Sequence, residues 1–180
     1  MLEADRLVVY ASSEKEMNQI IEAEKDEALR EAYREMLRGS LEHPEDWGWY
    51  AVWLIVRKDG RHIGNLSFKG SPVDGVVELG YGIAEEFRGF GYATEAVETI
   101  LEWAFDQPGV TKIAAETESG NLASQRVLEK CGFLPSAVMG RAKSNPVMYW
   151  ELTSPGRMNS PPWRGPSTVS GKLSPESLHP

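Results

Sequence analysis

The first short apolar run, residues 7–10, predicts a strand. Ser13 followed three residues later by Glu16 has the pattern of a capping box. Beyond it Met17, Ile20, Ile21, Ala28, Ala32 and Met36 recur at helical spacing, so a helical region is expected, as one helix or two, with Gly39 as its stop. β-Branched and aromatic residues then crowd residues 50–57 and 63–68. Asp59-Gly60 between them marks a hairpin turn. Residues 76–83 fit a further strand. The period then changes: Ala93, Ala96, Val97, Ile100, Leu101 and Ala104 fall on one helical face, and Pro108-Gly109 breaks it. Residues 112–117 predict a strand, 122–130 a short helix with Gly132 at its C-cap, and 147–152 a last strand. That order describes a mixed α/β (α+β) domain with a mostly antiparallel first half.

Composition divides the chain at Leu152. Residues 1–152 are expected to form one domain. Fifteen of the last twenty-eight residues are Pro, Ser or Gly without periodicity, so residues 153–180 predict a tail or extended arm. Trp163, Val169 and Leu173 are its few apolar anchors, and their expected seat is a partner chain in a homodimer. The 180 residues are 41% hydrophobic, enough for a buried core. No apolar run approaches the ~18 residues of a membrane span, and residues 1–5 lack the basic start of a secretory signal. Cys131 is the single cysteine and has no internal disulfide partner, which points to a reducing cytoplasm. His43, His62 and His179 share no ligand spacing, so no metal is expected.

Charge narrows the function classes. The formal net charge is −8, and residues 1–50 hold thirteen acidic against six basic side chains. Such a surface argues against a nucleic-acid binder, which needs a basic stripe to displace counterions. It either attracts a cationic, amine-bearing substrate or is a solvated helix face through Glu22, Glu24, Asp26, Glu27, Glu31 and Glu35.

Arg88-Gly89-Phe90-Gly91-Tyr92-Ala93-Thr94 lies between a predicted strand and an amphipathic helix. Small residues there let the backbone approach a ligand closely. The first amides of the following helix lack intrahelical partners and sit at the positive end of its dipole, which suits a pyrophosphate. Arg88 either adds charge or braces the turn. By itself a Gly-x-Gly turn serves a purely structural role as readily as a phosphate cradle; it is neither a P-loop nor a full dinucleotide fingerprint.

The flanks carry more. Arg88 to Ala93 resembles the Arg/Gln-x-x-Gly-x-Gly/Ala motif of the GNAT superfamily of N-acetyltransferases, and Glu78 to Ile83 looks like the strand before it. Asn121-Leu122-Ala123-Ser124 and Glu129-Lys130-Cys131-Gly132-Phe133 resemble the Asn-x-x-Ser and Glu-Lys-x-Gly-Phe ending of the branch similar to the ribosomal-protein N-terminal acetyltransferases. The resemblance spans about residues 5–152. It implies the GNAT fold, with splayed fourth and fifth strands gripping a pantetheine arm, and acetyl-CoA (coenzyme A) as co-substrate. It further implies that the backbone of Tyr81, Gly82 and Ile83 pairs with pantetheine. The amides of Gly89, Phe90, Gly91, Tyr92, Ala93 and Thr94 would meet the phosphates. Asn121 would bond the pantetheine region, with Ser124 near the sulfur. The implied activity is acetyl transfer to a primary amine, on a protein N-terminus or a small molecule. The alternative is a catalytically weak acetyl-CoA-binding sensor or interaction protein.

Transfer to an amine needs a neutral nucleophile, donors for the oxyanion and a proton for the departing thiolate. Glu116, five residues before Asn121, stands where some members of the family place a catalytic base; its other reading is a strand-end glutamate paired to a cation. Glu78 is the second candidate base, or a cross-strand partner. Many members use a tyrosine seven residues after the asparagine as acid, but that position is Leu128 here. Ser124 is the replacement its subfamily pattern suggests, or else a first-turn serine bonding backbone. Cys131, among apolar neighbours, is expected to pack. Trp47, Trp49 and Trp53 alternate as strand residues do, and Trp47 and Trp49 follow the helical region that covers the acceptor site in this family. The acceptor pocket is expected from that region with residues 43–49 and 134–146.

Overall fold

The computed structural model of the chain describes residues 1–139 and 146–154. Ser13 and Glu16 close the expected capping box: the Ser13 hydroxyl accepts from Glu16 N, and the Glu16 carboxylate accepts from Ser13 N at 2.8 Å. It opens α1 (Glu14–Ala23), and Asp26 caps a second helix, α2 (Glu27–Glu42). The helical region is therefore two helices. Gly39 does not end α2, which runs three residues further. The glycine is there for contact, because Tyr50 Cδ1 lies 2.6 Å from where its Cβ would sit.

A second correction follows at once. Trp47–Tyr50 form a short helix, α3, introduced by a 3-10 turn that begins at Pro44, and the expected strand starts only at Trp53. The alternation of tryptophans is not a strand pattern. Trp47 Nε1 donates to Ser12 O at 2.8 Å, while Trp49 is buried against Phe68 and Trp103.

Eight strands form one sheet among the described residues: β1 (Leu2–Glu3), β2 (Leu7–Ala11), β3 (Trp53–Arg57), β4 (His62–Phe68), β5 (Val76–Ile83), β6 (Lys112–Glu118), β7 (Leu134–Met139) and β8 (Val147–Thr153). Their order is β1-β2-β3-β4-β5-β6-β8-β7. β1 and β7 have no counterpart in the sequence reading, and residues 134–139, expected as loop, are an edge strand. Every pairing is antiparallel except β5 with β6. The remaining helices are α4 (Tyr92–Asp106) and α5 (Leu122–Lys130).

The two faces separate by alternation. Along β3, Trp53 and Ile55 join the main core with Leu66, Leu79, Ile113 and the buried face of α4, where Ala96, Val97, Ile100 and Ala104 are fully enclosed. Val52 and Leu54 face the other way, against Met17 of α1 and Tyr33 and Leu37 of α2. Of the expected arm, residues 153–180, Thr153 instead ends β8; residues 155–180 lie outside the described residues, and with them the dimer expectation.

The pairing of β5 with β6 is the feature that makes a site. It holds over four residues, from Val76↔Lys112 to Leu79↔Ala115, and then stops. From Gly80 to Ile83, β5 keeps its ladder with β4, while Glu116 to Glu118 keep theirs with β8. The fourth and fifth strands of the sequence reading, here β5 and β6, thus part in the middle of the sheet.

Candidate active site

The turn that feeds α4 sits at the mouth of this parting. Gly89 and Gly91 have φ of +83° and +82°, a left-handed conformation that favours glycine, and Gly91 is the N-cap of α4. Arg88 Nε donates to Ile83 O at 3.0 Å, which ties the turn to the end of β5. From the far side of the fold, Arg6 Nη1 donates to Phe90 O at 2.9 Å, and Arg6 grips Glu95 on the first turn of α4. The Arg6 guanidinium also lies 4.6 Å from the centroid of the Tyr92 ring. The turn is held from both ends before any ligand arrives.

A cleft of about 430 Å³ runs from the turn into the parting. Residues 81–83, 88–89 and 91–94 line it, with Asn121 and Ser124. Of the residues named from the sequence for the cofactor, Phe90 is the one that does not border it; the residue is 63% exposed and its carbonyl accepts from Arg6. A Cβ at Gly89 or Gly82 would meet nothing within 4 Å, so the cleft is open along its wall. Arg126 and Lys130, one turn apart on α5, also line it and join Arg88 as cations. Sequence reasoning missed both, because on a short amphipathic helix they look like solvated surface.

α5 begins with Asn121, whose Oδ1 accepts from Ser124 N at 3.1 Å. That oxygen is committed to capping, and the side-chain amide nitrogen is what remains for a ligand. Tyr81 Oη donates to Ser124 O at 3.0 Å and lies 2.7 Å from Ser124 Oγ, whose hydroxyl can donate to it. A phenol on β5 thus holds the serine across the cleft. Burial pushes the Tyr81 phenol up to about 12, so it keeps its proton at neutral pH. Leu128 is fully buried, so the position of the family's tyrosine belongs to the core of this chain.

The carboxylates stand elsewhere. Glu78 lies on the paired part of β5 and forms an ion pair with Lys69. Glu116 is half-buried, opposite Tyr149 of β8, and is the first residue of β6 past the last pair with β5. Neither borders this cleft or the larger one described next. Cys131 is half-buried beside Thr94 O at 3.8 Å, and burial, then the Glu98 charge, pushes its thiol up to about 12. It is a packed thiol.

A second cleft of about 1020 Å³ opens on the opposite face of β4 and β5, under α2. It meets the first at Tyr81, Gly82 and Ile83, which line both. Its walls come from α2, Tyr50 and residues 62–70. Trp47 and Trp49, expected there, instead point into packed regions. No group of three or more potential metal ligands occurs among the described residues. No helix among them is long and apolar enough to cross a membrane.

A parted parallel pair and a glycine-bearing turn at a helix start, within an open mixed sheet, are features of an acetyltransferase fold. The chain belongs to the acetyltransferase (GNAT) domain family, whose model matches residues 2–134. Among curated proteins it is 39% identical over 84 residues to Uncharacterized N-acetyltransferase YjdG of Bacillus subtilis (strain 168), covering 46% of this chain and 50% of that one. The chain spans about half the length of the curated relatives it matches. Among solved structures, RimL, a ribosomal L7/L12 alpha-N-protein acetyltransferase in complex with coenzyme A, superposes with a TM-score of 0.68 at 18% identity, over 83% of this chain and 95% of that one. A chimera of the spermidine N-acetyltransferase SpeG from Vibrio cholerae with hSSAT gives 0.65 at 18% identity, over 83% and 96%. At such identity these two establish the fold.

Proposed function

We propose that the chain is an acetyl-CoA-dependent N-acetyltransferase that moves an acetyl group to a primary amine. The observation that carries this reading is the parting of β5 and β6 beside a turn with free helix amides and three cations. That donor set fits a pyrophosphate joined to an extended amide-bearing arm. The amides of residues 89–94, with Arg88, Arg126 and Lys130, would hold the phosphates. The edge of β5 at residues 81–83 would pair with the arm and present a backbone N–H to the oxyanion. When bound, the thioester supplies an activated acetyl group on a thiolate leaving group.

The chain's own residues supply the proton steps. Ser124, positioned by Tyr81, gives its proton toward the departing sulfur and regains one from the newly acylated nitrogen. Glu116 is the base, reached through water, because it is the first residue of β6 released from pairing with β5. Glu78 is the reserve candidate, with its carboxylate occupied by Lys69. The second reading, an acetyl-CoA-binding sensor or interaction protein, draws on one observation: Leu128 fills the usual tyrosine position and is buried. Calorimetric titration with acetyl-CoA, followed by thiol release with a panel of amines, tests both. Binding with amine-dependent release is the expected result. Binding without release leaves the sensor, and no binding overturns both.

A further inference from the structure

The larger cleft has a bare floor. On the α2-facing side of the sheet, Asn65 pairs with Gly82 and Ser67 with Gly80, so half of the floor positions carry no side chain. A Cβ at Gly80 would rest 3.7 Å from Ser67 Oγ, and one at Gly82 would meet nothing. The empty floor is therefore space for a ligand rather than room needed by a neighbour. The wall is apolar. Leu29, Ala32 and Met36 line the cleft from α2 at spacings of three and four, and Leu29 remains 42% exposed instead of joining the core.

Charge at the cleft is scarce. Lys69 is committed to Glu78. Glu35, exposed on α2, is the one carboxylate lining it, and it has no ion-pair partner among the described residues. The acids that precede it on α2 do not add to it. Glu27 pairs with Arg30 and Arg34 at 2.5 and 3.3 Å, and Glu31 pairs with Arg34 at 2.9 Å. A polyamine carries several ammonium groups that must each find a counter-charge or stay in water. This wall offers one.

We infer that the acceptor is a small primary monoamine carried on an apolar group, bound between α2 and the glycine-bearing face of β4–β5. The inference rests on the N-acetyltransferase reading. The apolar wall does chemical work as well as recognition. Desolvation lowers an ammonium's pKa, so the cleft helps to release the lone pair that attacks the acetyl carbon. Glu116, which does not border the cleft, then takes up the released proton through water.

The test measures amine-dependent thiol release by the full chain, saturated with acetyl-CoA, for hexylamine, benzylamine, spermidine and a tetrapeptide with N-terminal serine. The expected kcat/KM for the two apolar amines exceeds that for spermidine and the peptide by at least about tenfold. Ala32→Trp, at an exposed helix position, fills the cleft from its wall. It should lower kcat/KM for benzylamine at least about tenfold, with the Kd for acetyl-CoA within about threefold and the melting temperature unchanged. A preference for spermidine or the peptide overturns the inference and leaves the acetyltransferase reading intact. So does an Ala32→Trp protein that remains fully active on benzylamine. Thiol release with none of the amines, despite acetyl-CoA binding, overturns the acetyltransferase reading itself.

Discussion

Removing the Arg6 side chain separates a turn that is held ready from one that forms around its ligand. Arg6 Nε and Nη2 reach Glu95 Oε2 at 2.7 and 2.6 Å, and Nη1 donates to Phe90 O at 2.9 Å. The Arg6 side chain is 49% exposed and that of Glu95 15%, so solvent screens the ion pair to about 0.5–1 kcal/mol. The charge-assisted bond to the carbonyl adds about 1 kcal/mol. Arg6→Ala therefore loosens the turn by about 1.5–2 kcal/mol, which raises the Kd for acetyl-CoA about 10–30-fold if binding requires the ordered turn. Arg6→Lys keeps a charge without the fork, so it should recover less than half of the loss. Isothermal calorimetry gives both affinities, and a melting curve shows whether the fold is intact. A Kd within about twofold of wild type in Arg6→Ala refutes the reasoning, because the turn then needs no brace.

Other expectations follow from the same geometry. Ser124→Ala should lower kcat by about 10–100-fold with the KM for acetyl-CoA little changed, and Tyr81→Phe should lower it less, because the hydroxyl remains but loses its holder; equal losses in kcat and affinity would make the serine structural. Glu116→Gln should lower kcat about a hundredfold, and Glu78→Gln should not, as read in steady-state assays. Leu128→Tyr should restore nothing and should destabilise the fold by about 1–3 kcal/mol in urea melts, because the position is fully buried. Below its raised pKa of about 12 the Cys131 thiol stays protonated. At pH 8 its reaction with a disulfide reagent should therefore run about a thousandfold slower in the native chain than after unfolding.

What was legible in the sequence was local. The capping box at Ser13, the β5 boundaries, the turn at residues 88–94 and the α5 limits each depend on neighbours a few residues apart, and each appears in the structure. Contacts made over long separations were not legible. Arg6 and Glu95 are 89 positions apart, and nothing near either one announces the other. Gly39 looks like a helix stop until Tyr50 is laid over it. Trp47-Gly48-Trp49-Tyr50 has the aromatic content of a strand, and only its packing shows a helix. β7 was hidden because Pro135 and Ser136 resemble a loop, and its strand character comes from pairing with β8. The Tyr81–Ser124 contact likewise joins two motifs that were read separately.

The parting of β5 and β6 also bears on how the chain avoids clumping. An unpaired strand edge is a template on which another polypeptide adds itself, and proteins normally blunt such edges. This sheet blunts its outer ones: β1 is two residues long, and β7 carries a proline and a register shift. The two edges opened by the parting are short, face each other inside one molecule, and keep β4 and β8 at their backs. A second chain would have to thread the gap to use them. The fold thus keeps exposed main-chain hydrogen-bonding groups available in a place where a slender ligand has access and a foreign strand does not.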